Sequence, residues 1–149
     1  MSATRNHVHR EQFNCSVERL FSLLHTPSAI RQWWGADKVI VIPMTEGFWA
    51  AVWGTDEDAP DYITAATIRV FEPPARMLLT DFKYHARSGP LPFDAVFETD
   101  FVVEAVSDGS QLTVTQRGFP SGPEADNYYA ACKKGWAETF AGIRRFLGP

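Results

Sequence analysis

The chain has 149 residues, of which 45% are hydrophobic and 13% aromatic, and its formal net charge is −4. This length predicts one domain, residues 1–149, with a core large enough to fold without metal ions or disulfides. Because Lys and Arg are scattered and no run approaches the ~20 apolar residues that cross a bilayer, we expect neither a nucleic-acid partner nor stable membrane insertion.

The first third of the chain predicts a strand followed by two short helices. Residues 7–13 are typical of a weakly alternating strand, and Ser16 can cap a helix that continues to about His25. Thr26 and Pro27 then provide an N-cap and a first-turn proline for a second helix. Gly35 is expected to end that helix.

Six more strands are predicted in the middle of the chain. Pro73-Pro74 directs the chain out of the sheet, and Asp108-Gly109 is a strong hairpin signal. The Pro- and Gly-containing segment 87–92 is expected to be a loop able to gate whatever the sheet encloses. The predicted strands cover residues 38–42, 47–53, 62–71, 77–84, 95–106 and 111–117.

The last element is predicted to be a long helix from Ser121 to Leu147, with an apolar stripe at three- and four-residue steps. Gly135 lies within this stripe, where a helix favours Ala by roughly 1 kcal/mol. We therefore expect the helix backbone to approach the sheet or the short helices closely at Gly135. The stripe contains Tyr128, Cys132, Gly135, Trp136, Thr139, Phe140, Ile143 and Leu147.

This order of elements predicts an α+β chain in which a curved antiparallel sheet of about seven strands wraps around the terminal helix. Large rings that cannot all reach the helix are expected to leave a pocket. Alternation along the strands turns Trp49, Trp53, Thr99, Phe101, Val103, Val114 and Gln116 inward. Within this set we expect Phe101 to line the pocket, whereas Trp136 on the helix is expected to be mainly structural.

Several segments resemble the SRPBCC superfamily in their order along nearly the whole chain. They are FNCSVERLF at 13–21, the Trp33-Trp34 pair, EPPARM at 72–77, LTVTQRGF at 112–119 and the late Gly135-Trp136. Within the superfamily, the chain is most similar to the single-domain group related to the C-terminal domain of the heat-shock-protein-ninety ATPase activator.

The resemblance implies the helix-grip fold of START lipid-transfer domains and birch-pollen-allergen-like proteins, with a deep hydrophobic cavity. It does not imply one chemistry, because members of such folds carry different activities. With the alternation above, it predicts a ligand site formed by Trp34, Trp49, Trp53, Asp81, Thr99, Phe101, Val103, Val114, Gln116, Phe119, Tyr128, Trp136 and Phe140.

Asp81 is the polar candidate in that set, and the register of its strand is ambiguous. Phe82 and Tyr84 favour one register, whereas Met77 and Leu79 favour the other. Relatives often carry Thr-Trp where this chain has Thr80-Asp81, so the resemblance favours an Asp81 side chain in the cavity. The alternative is a solvated carboxylate on the outer face.

Two histidines and two cysteines are the remaining candidates for chemistry. His7, His9 and Glu11 alternate on the face that carries Phe13, where they could bind metal or transfer protons, but an edge strand also commonly shows such residues to water. The Cys15 and Cys132 spacing gives no disulfide framework and no zinc motif, so we expect free thiols. No catalytic residue, metal or cofactor is predicted.

The sequence therefore predicts a cytoplasmic protein that binds a small hydrophobic or amphipathic molecule. One alternative is a cyclase, dehydratase or hydrolase acting on a polyketide-like or aromatic substrate, with Asp81 or the two histidines as acid–base groups. Another is a chaperone ATPase cofactor, which would need an exposed contact surface. A homodimer stays open.

Overall fold

A computed structural model describes residues 3–148 of the chain. One strand is followed by two short helices, six further strands, a single 3-10 turn and a long helix. The strands are β1 (Thr4–Phe13), β2 (Lys38–Ile42), β3 (Gly47–Trp53), β4 (Tyr62–Glu72), β5 (Arg76–Ala86), β6 (Glu98–Val106) and β7 (Gly109–Pro120). The helices are α1 (Val17–Leu23), α2 (Pro27–Trp34) and α3 (Asp126–Leu147).

All seven strands form one antiparallel sheet in the order β1-β7-β6-β5-β4-β3-β2. The sheet curves around α3, so the predicted helix-grip α+β fold is confirmed. The open order leaves β1 and β2 as the two edge strands. Among residues 3–148, no helix is both long enough and apolar enough to cross a membrane.

Local signals position the two short helices largely as predicted. The Ser16 hydroxyl accepts a hydrogen bond from the Arg19 backbone N–H at 3.1 Å and so caps α1. Thr26 precedes α2, but its hydroxyl donates to the Ser22 carbonyl instead of capping the helix. Gly35 adopts φ 74° and ends α2, because glycine enters this left-handed conformation without a steric cost.

The sixth strand begins later than expected. Residues 95–97 were predicted to belong to it, yet β6 starts at Glu98. Gly118 on β7 has φ 95°, and a Cβ at this position would collide with the Val96 carbonyl. The chain therefore passes close to β7 at Val96, and residues 87–97 form a longer connection than the predicted loop.

The filled core occupies the half of the sheet that α1, α2 and the C-terminal half of α3 cover. Phe13 and Phe140 meet edge to face with ring centroids 6.2 Å apart. The Trp49 indole N–H donates to the Leu24 carbonyl at 3.1 Å, which ties β3 to the end of α1. Ile143 on α3 has no exposed surface. The other half of the inner face remains less tightly covered.

Candidate functional site: a ring-lined cavity

A cavity of about 600 Å³ lies between the inner face of the sheet and α3, mainly along Tyr128 to Thr139. The last turn of α2 closes one side through Trp33 and Trp34. Strands β3 to β7 supply the curved wall. The remaining enclosed lining residues are Trp53, Tyr62, Thr64, Phe82, Tyr84, Phe97, Thr99, Gln116, Phe119, Tyr128, Cys132, Gly135, Trp136 and Thr139.

Part of the space exists because α3 carries no side chain at Gly135. This glycine lines the cavity, and a Cβ built on it would meet no atom within 4 Å. The expectation of a close backbone approach at Gly135 is therefore wrong. That approach occurs two turns later at Gly142, where a Cβ would collide with the Trp33 carbonyl. The inward side of α3 thus packs closely near Gly142 and leaves open space near Gly135.

A continuous chain of rings, here called the ring belt, runs along the cavity wall through Trp34, Trp53, Tyr62, Tyr84 and Tyr128. Successive ring centroids are 4.8, 5.2, 4.8 and 6.5 Å apart, and each pair meets edge to face. Aromatic rings favour this geometry because the positive edge of one faces the negative face of the next. The belt therefore joins α2, the sheet and α3 around one space.

The enclosed hydrogen-bonding groups of the cavity are neutral. Burial raises the pKa of the Tyr62 and Tyr128 phenols above its ordinary value, and burial also raises the pKa of the Cys132 thiol. Uncharged forms are favoured because a charge loses its hydration in such a site. The Gln116 amide donates to the Thr99 hydroxyl at 3.4 Å. The enclosed wall therefore offers dipoles and rings rather than ions.

Charged groups occur where the cavity meets solvent. Glu138 and Arg145 on α3 line it and are exposed, as is the neutral Gln32 on α2. Glu98 is half-buried and lies 3.8 Å from Arg117. The mouth thus lies between the end of α2 and the exposed side of α3.

Seven of the thirteen predicted site residues line the cavity, and six do not. Those in the wall are Trp34, Trp53, Thr99, Gln116, Phe119, Tyr128 and Trp136. Those outside it are Trp49, Asp81, Phe101, Val103, Val114 and Phe140. Except for Asp81, the latter face inward as predicted but lie in the filled core. Whether the lining residues bind a ligand stays a prediction.

Phe101, which was expected to line the cavity, does not, and Trp136 both packs in the core and borders the cavity. Phe101 is 4% exposed and packs within the core, with its ring 6.0 Å from Trp136. Trp136 also contacts Phe140 but borders the cavity. Alternation identified the inner face correctly, but it carries no information about which part of that face α3 fills.

Asp81 does not face the cavity, because a β-bulge separates two registers on β5. Ala65 pairs with Lys83 and Thr67 with Thr80, so Asp81 and Phe82 together oppose the single residue Ala66. Both patterns seen in the sequence are consequently real. Met77 and Leu79 point inward before the bulge, and Phe82 and Tyr84 do so after it.

Asp81 itself is the residue that the bulge turns outward. Its φ of 54° lies in the left-handed region, which Asp tolerates better than most residues. A second register shift on β4 leaves Arg69 as an extra residue there, and Arg69 forms an ion pair with Asp81 and with Glu46. Asp81 is thus an exposed structural partner, as the solvated alternative proposed.

His7 and His9 point inward but lie outside the cavity wall. Their Nδ1 and Nε2 atoms are 2.7 Å apart, and His7 packs against Phe119 and Tyr129 with ring centroids 4.8 and 5.2 Å away. Glu11, the third candidate ligand, instead lies 2.9 Å from Arg144. Among residues 3–148, no group of three His, Cys, Asp or Glu side chains is arranged to hold a metal ion.

Several lining residues were not predicted as part of the site. Tyr62 was detectable, because it pairs directly with Trp53 across β3 and β4 and paired residues share a face. Cys132 and Thr139 lay on the predicted helix stripe and needed only to be included. Phe97 also had a signal, because within the predicted strand 95–106 it lies two residues before Thr99 and shares its face.

The curved sheet, the terminal helix and the cavity between them define a helix-grip protein of SRPBCC type. The model of the family described as Activator of Hsp90 ATPase homolog 1-like protein matches residues 14–148, and the chain belongs to that family. The resemblance stated from the sequence is therefore confirmed. Comparison with curated protein sequences finds no match.

Solved structures of similar fold come from several bacteria. Protein MLL2253 from Mesorhizobium loti superposes with a TM-score of 0.77 at 21% identity, covering 96% of each chain. CV1439 from Chromobacterium violaceum gives 0.72 at 15% identity, covering 97% of this chain and 98% of that one. CalU16 from Micromonospora echinospora gives 0.69 at 15% identity, covering 97% and 75% respectively. At these identities the likeness concerns the fold alone.

Proposed function

We propose that the protein binds a small hydrophobic or amphipathic molecule in the cavity between the sheet and α3. The observation that carries the proposal is the cavity of about 600 Å³ with the ring belt in its wall. Ligand sites in proteins typically have volumes of about 300–1,000 Å³ and mostly apolar linings with a few polar groups. The size is of this kind, and the lining combines aromatic rings with neutral polar groups.

The distribution of charge favours a ligand whose enclosed part is apolar or neutral and whose polar end, if it has one, lies at the mouth of the cavity. An ion enclosed beside Tyr62 and Tyr128 would lose its hydration without gaining an opposite charge, which is costly. At the mouth, Glu138 and Arg145 keep their contact with water. A polar group of the ligand at that position would remain hydrated.

Filling the cavity from Gly135 tests the proposal without removing any existing contact. A Gly135→Leu side chain would extend into space where a Cβ meets nothing, whereas Gly135→Ala leaves most of that space free. We expect the neutral fluorescent probe N-phenyl-1-naphthylamine to bind wild type and Gly135→Ala and to bind Gly135→Leu at least tenfold more weakly. Thermal unfolding of all three proteins establishes that they are folded.

Two outcomes would contradict the proposal. One is absence of probe binding to the folded wild type. The other is equal affinity of wild type and Gly135→Leu, which would place the probe elsewhere. Ala137→Leu on the exposed side of α3 is the matched control, and it should leave binding unchanged. Organic extraction of the purified protein followed by mass spectrometry would then identify a copurifying ligand.

No specific observation favours the two other candidate functions. The acid–base groups suggested for an enzyme, Asp81, His7 and His9, lie outside the cavity wall. The chaperone hypothesis rests on the name of the family alone. Binding is therefore the function that the arrangement supports best.

A further inference from the structure

One corner of the sheet's outer face carries exposed apolar side chains that neither the core nor the cavity explains. This β2 corner consists of Ile40, Ile42, Met44 and Phe48, which are 58%, 50%, 58% and 40% exposed. Ile42 and Phe48 are directly paired across β2 and β3, so they share a face. Most of the exposed large hydrophobic side chains among residues 3–148 therefore belong to this corner.

The rest of the outer face is protected by charge. Arg76 and Arg117 form ion pairs with Asp100 on β6. Arg69 forms ion pairs with Asp81 and Glu46 near β4 and β5. The other edge strand, β1, exposes Arg10 and Gln12 beside its single apolar Val8. Charged side chains of this kind normally prevent edge strands from pairing with other chains. Strand β2 has only Lys38, at its start.

We propose that the β2 edge and the β2 corner form a two-fold interface with a second copy of this chain. Antiparallel pairing of KVIVI with itself about Ile40 would place Val39 opposite Val41 and Lys38 opposite Ile42 of the other copy. This pairing is two-fold symmetric, as an isologous interface requires, and it places apolar residues opposite one another at its centre. Seven strands from each copy would join in one continuous sheet.

The position of the one charged residue selects this arrangement. In antiparallel pairing the two Lys38 residues lie at opposite ends of a five-residue strand, about 14 Å apart along the strand at ~3.4 Å per residue. That separation exceeds the Debye length of about 8 Å at physiological ionic strength, so their repulsion is screened. Parallel pairing would place the two ammonium groups side by side.

The exposed area predicts a weak dimer. Edge pairing sets the two β2 corners side by side on one face of the joined sheet, so it buries the free edge of β2 and covers only part of the exposed apolar area, which amounts to roughly 400 Å² per copy. A standard interface buries about 800 Å² per partner, and smaller ones are typical of transient complexes. We therefore expect dissociation at low micromolar concentration and dimerisation at several hundred micromolar.

Sedimentation equilibrium of the full chain over this concentration range tests the proposal. The weight-average mass should rise from the 16.7 kDa of the monomer toward twice that value and should stop there. Ile40→Lys places a charge at the two-fold axis and should weaken self-association at least tenfold. Val8→Lys on β1 and Val96→Lys near β6 introduce the same charge at other exposed apolar positions and should have no effect.

Amide hydrogen exchange then locates the interface. Protection of residues 38–42 should increase with protein concentration, whereas protection of β1 should not. A wild-type mass that stays monomeric throughout would overturn the proposal. So would a dimer that persists unchanged in Ile40→Lys, or growth beyond a dimer. None of these outcomes bears on the cavity, which lies on the opposite face of the sheet.

Discussion

Acidification should destabilise the fold through His7, which β1 places against β7 and α3. The ring is 5% exposed and lies among Phe119, Tyr129 and His9. Burial, with the nearby His9 and Lys133 charges, lowers its pKa from 6.5 to about 4. Neither of these charged neighbours is an anion, and the Nε2 atom of His7 is buried without a hydrogen-bond partner, so a second proton on the ring is not stabilised.

The sign of the pH dependence follows from this depressed pKa. Between pH 6.5 and 4 the unfolded chain binds a proton that the folded chain does not, so stability falls as the pH falls through this range. Above pH 6.5 the neutral ring contributes no further change. With 1.36 kcal/mol per pKa unit, the loss from His7 at pH 5.0 amounts to about 2 kcal/mol.

Urea unfolding at pH 7.5 and 5.0 measures this loss. We compare the pH-dependent change rather than the absolute stability, because His7→Gln also alters packing. Wild type should lose about 2 kcal/mol more than His7→Gln between the two pH values. His85→Gln, at an exposed position on β5, is the control and should behave as wild type. Equal losses for wild type and His7→Gln would refute the reasoning.

Two further predictions concern packing, and urea unfolding at pH 7.5 checks both. Phe101→Ala should lower the free energy of unfolding by roughly 3–5 kcal/mol, because the side chain is buried in the core. Trp136→Ala should lower it by less, because Trp136 borders existing space. A larger loss for Trp136→Ala would contradict this prediction. Gly142→Ala should destabilise by about 1–3 kcal/mol through its collision with the Trp33 carbonyl, while Gly135→Ala should stabilise by roughly 1 kcal/mol. Equal effects of the two glycine substitutions would be the contrary result.

Local patterns were sufficient to predict the elements and the sheet face of most residues. Ser16 and Gly35 mark the helix ends because capping and left-handed φ depend on single residues. Alternation placed Val114 and Gln116 on the inner face, as observed. Such features depend only on neighbouring residues, which is why the chain alone reveals them.

The boundary between filled core and cavity could not be predicted in this way. Phe101 and Thr99 are two residues apart on the same face of β6, yet only Thr99 lines the cavity. The difference arises where α3 crosses the sheet and from the close approach at Gly142, both of which are tertiary. Helical periodicity placed Gly135 on the inward stripe of α3 but did not indicate that Gly142 would make the close contact with α2.

The bulge at Asp81 has a consequence for insertions and deletions in β5. Removing Asp81 would join Thr80 directly to Phe82, so the ladder would become unbroken while Phe82 still opposed Ala66 and faced inward. Removing Lys83 instead would leave the bulge in place and shift every later side chain of the strand to the other face, so Tyr84 would face water and His85 would face inward. A single-residue deletion therefore preserves the aromatic wall at one position of β5 and interrupts it two residues later.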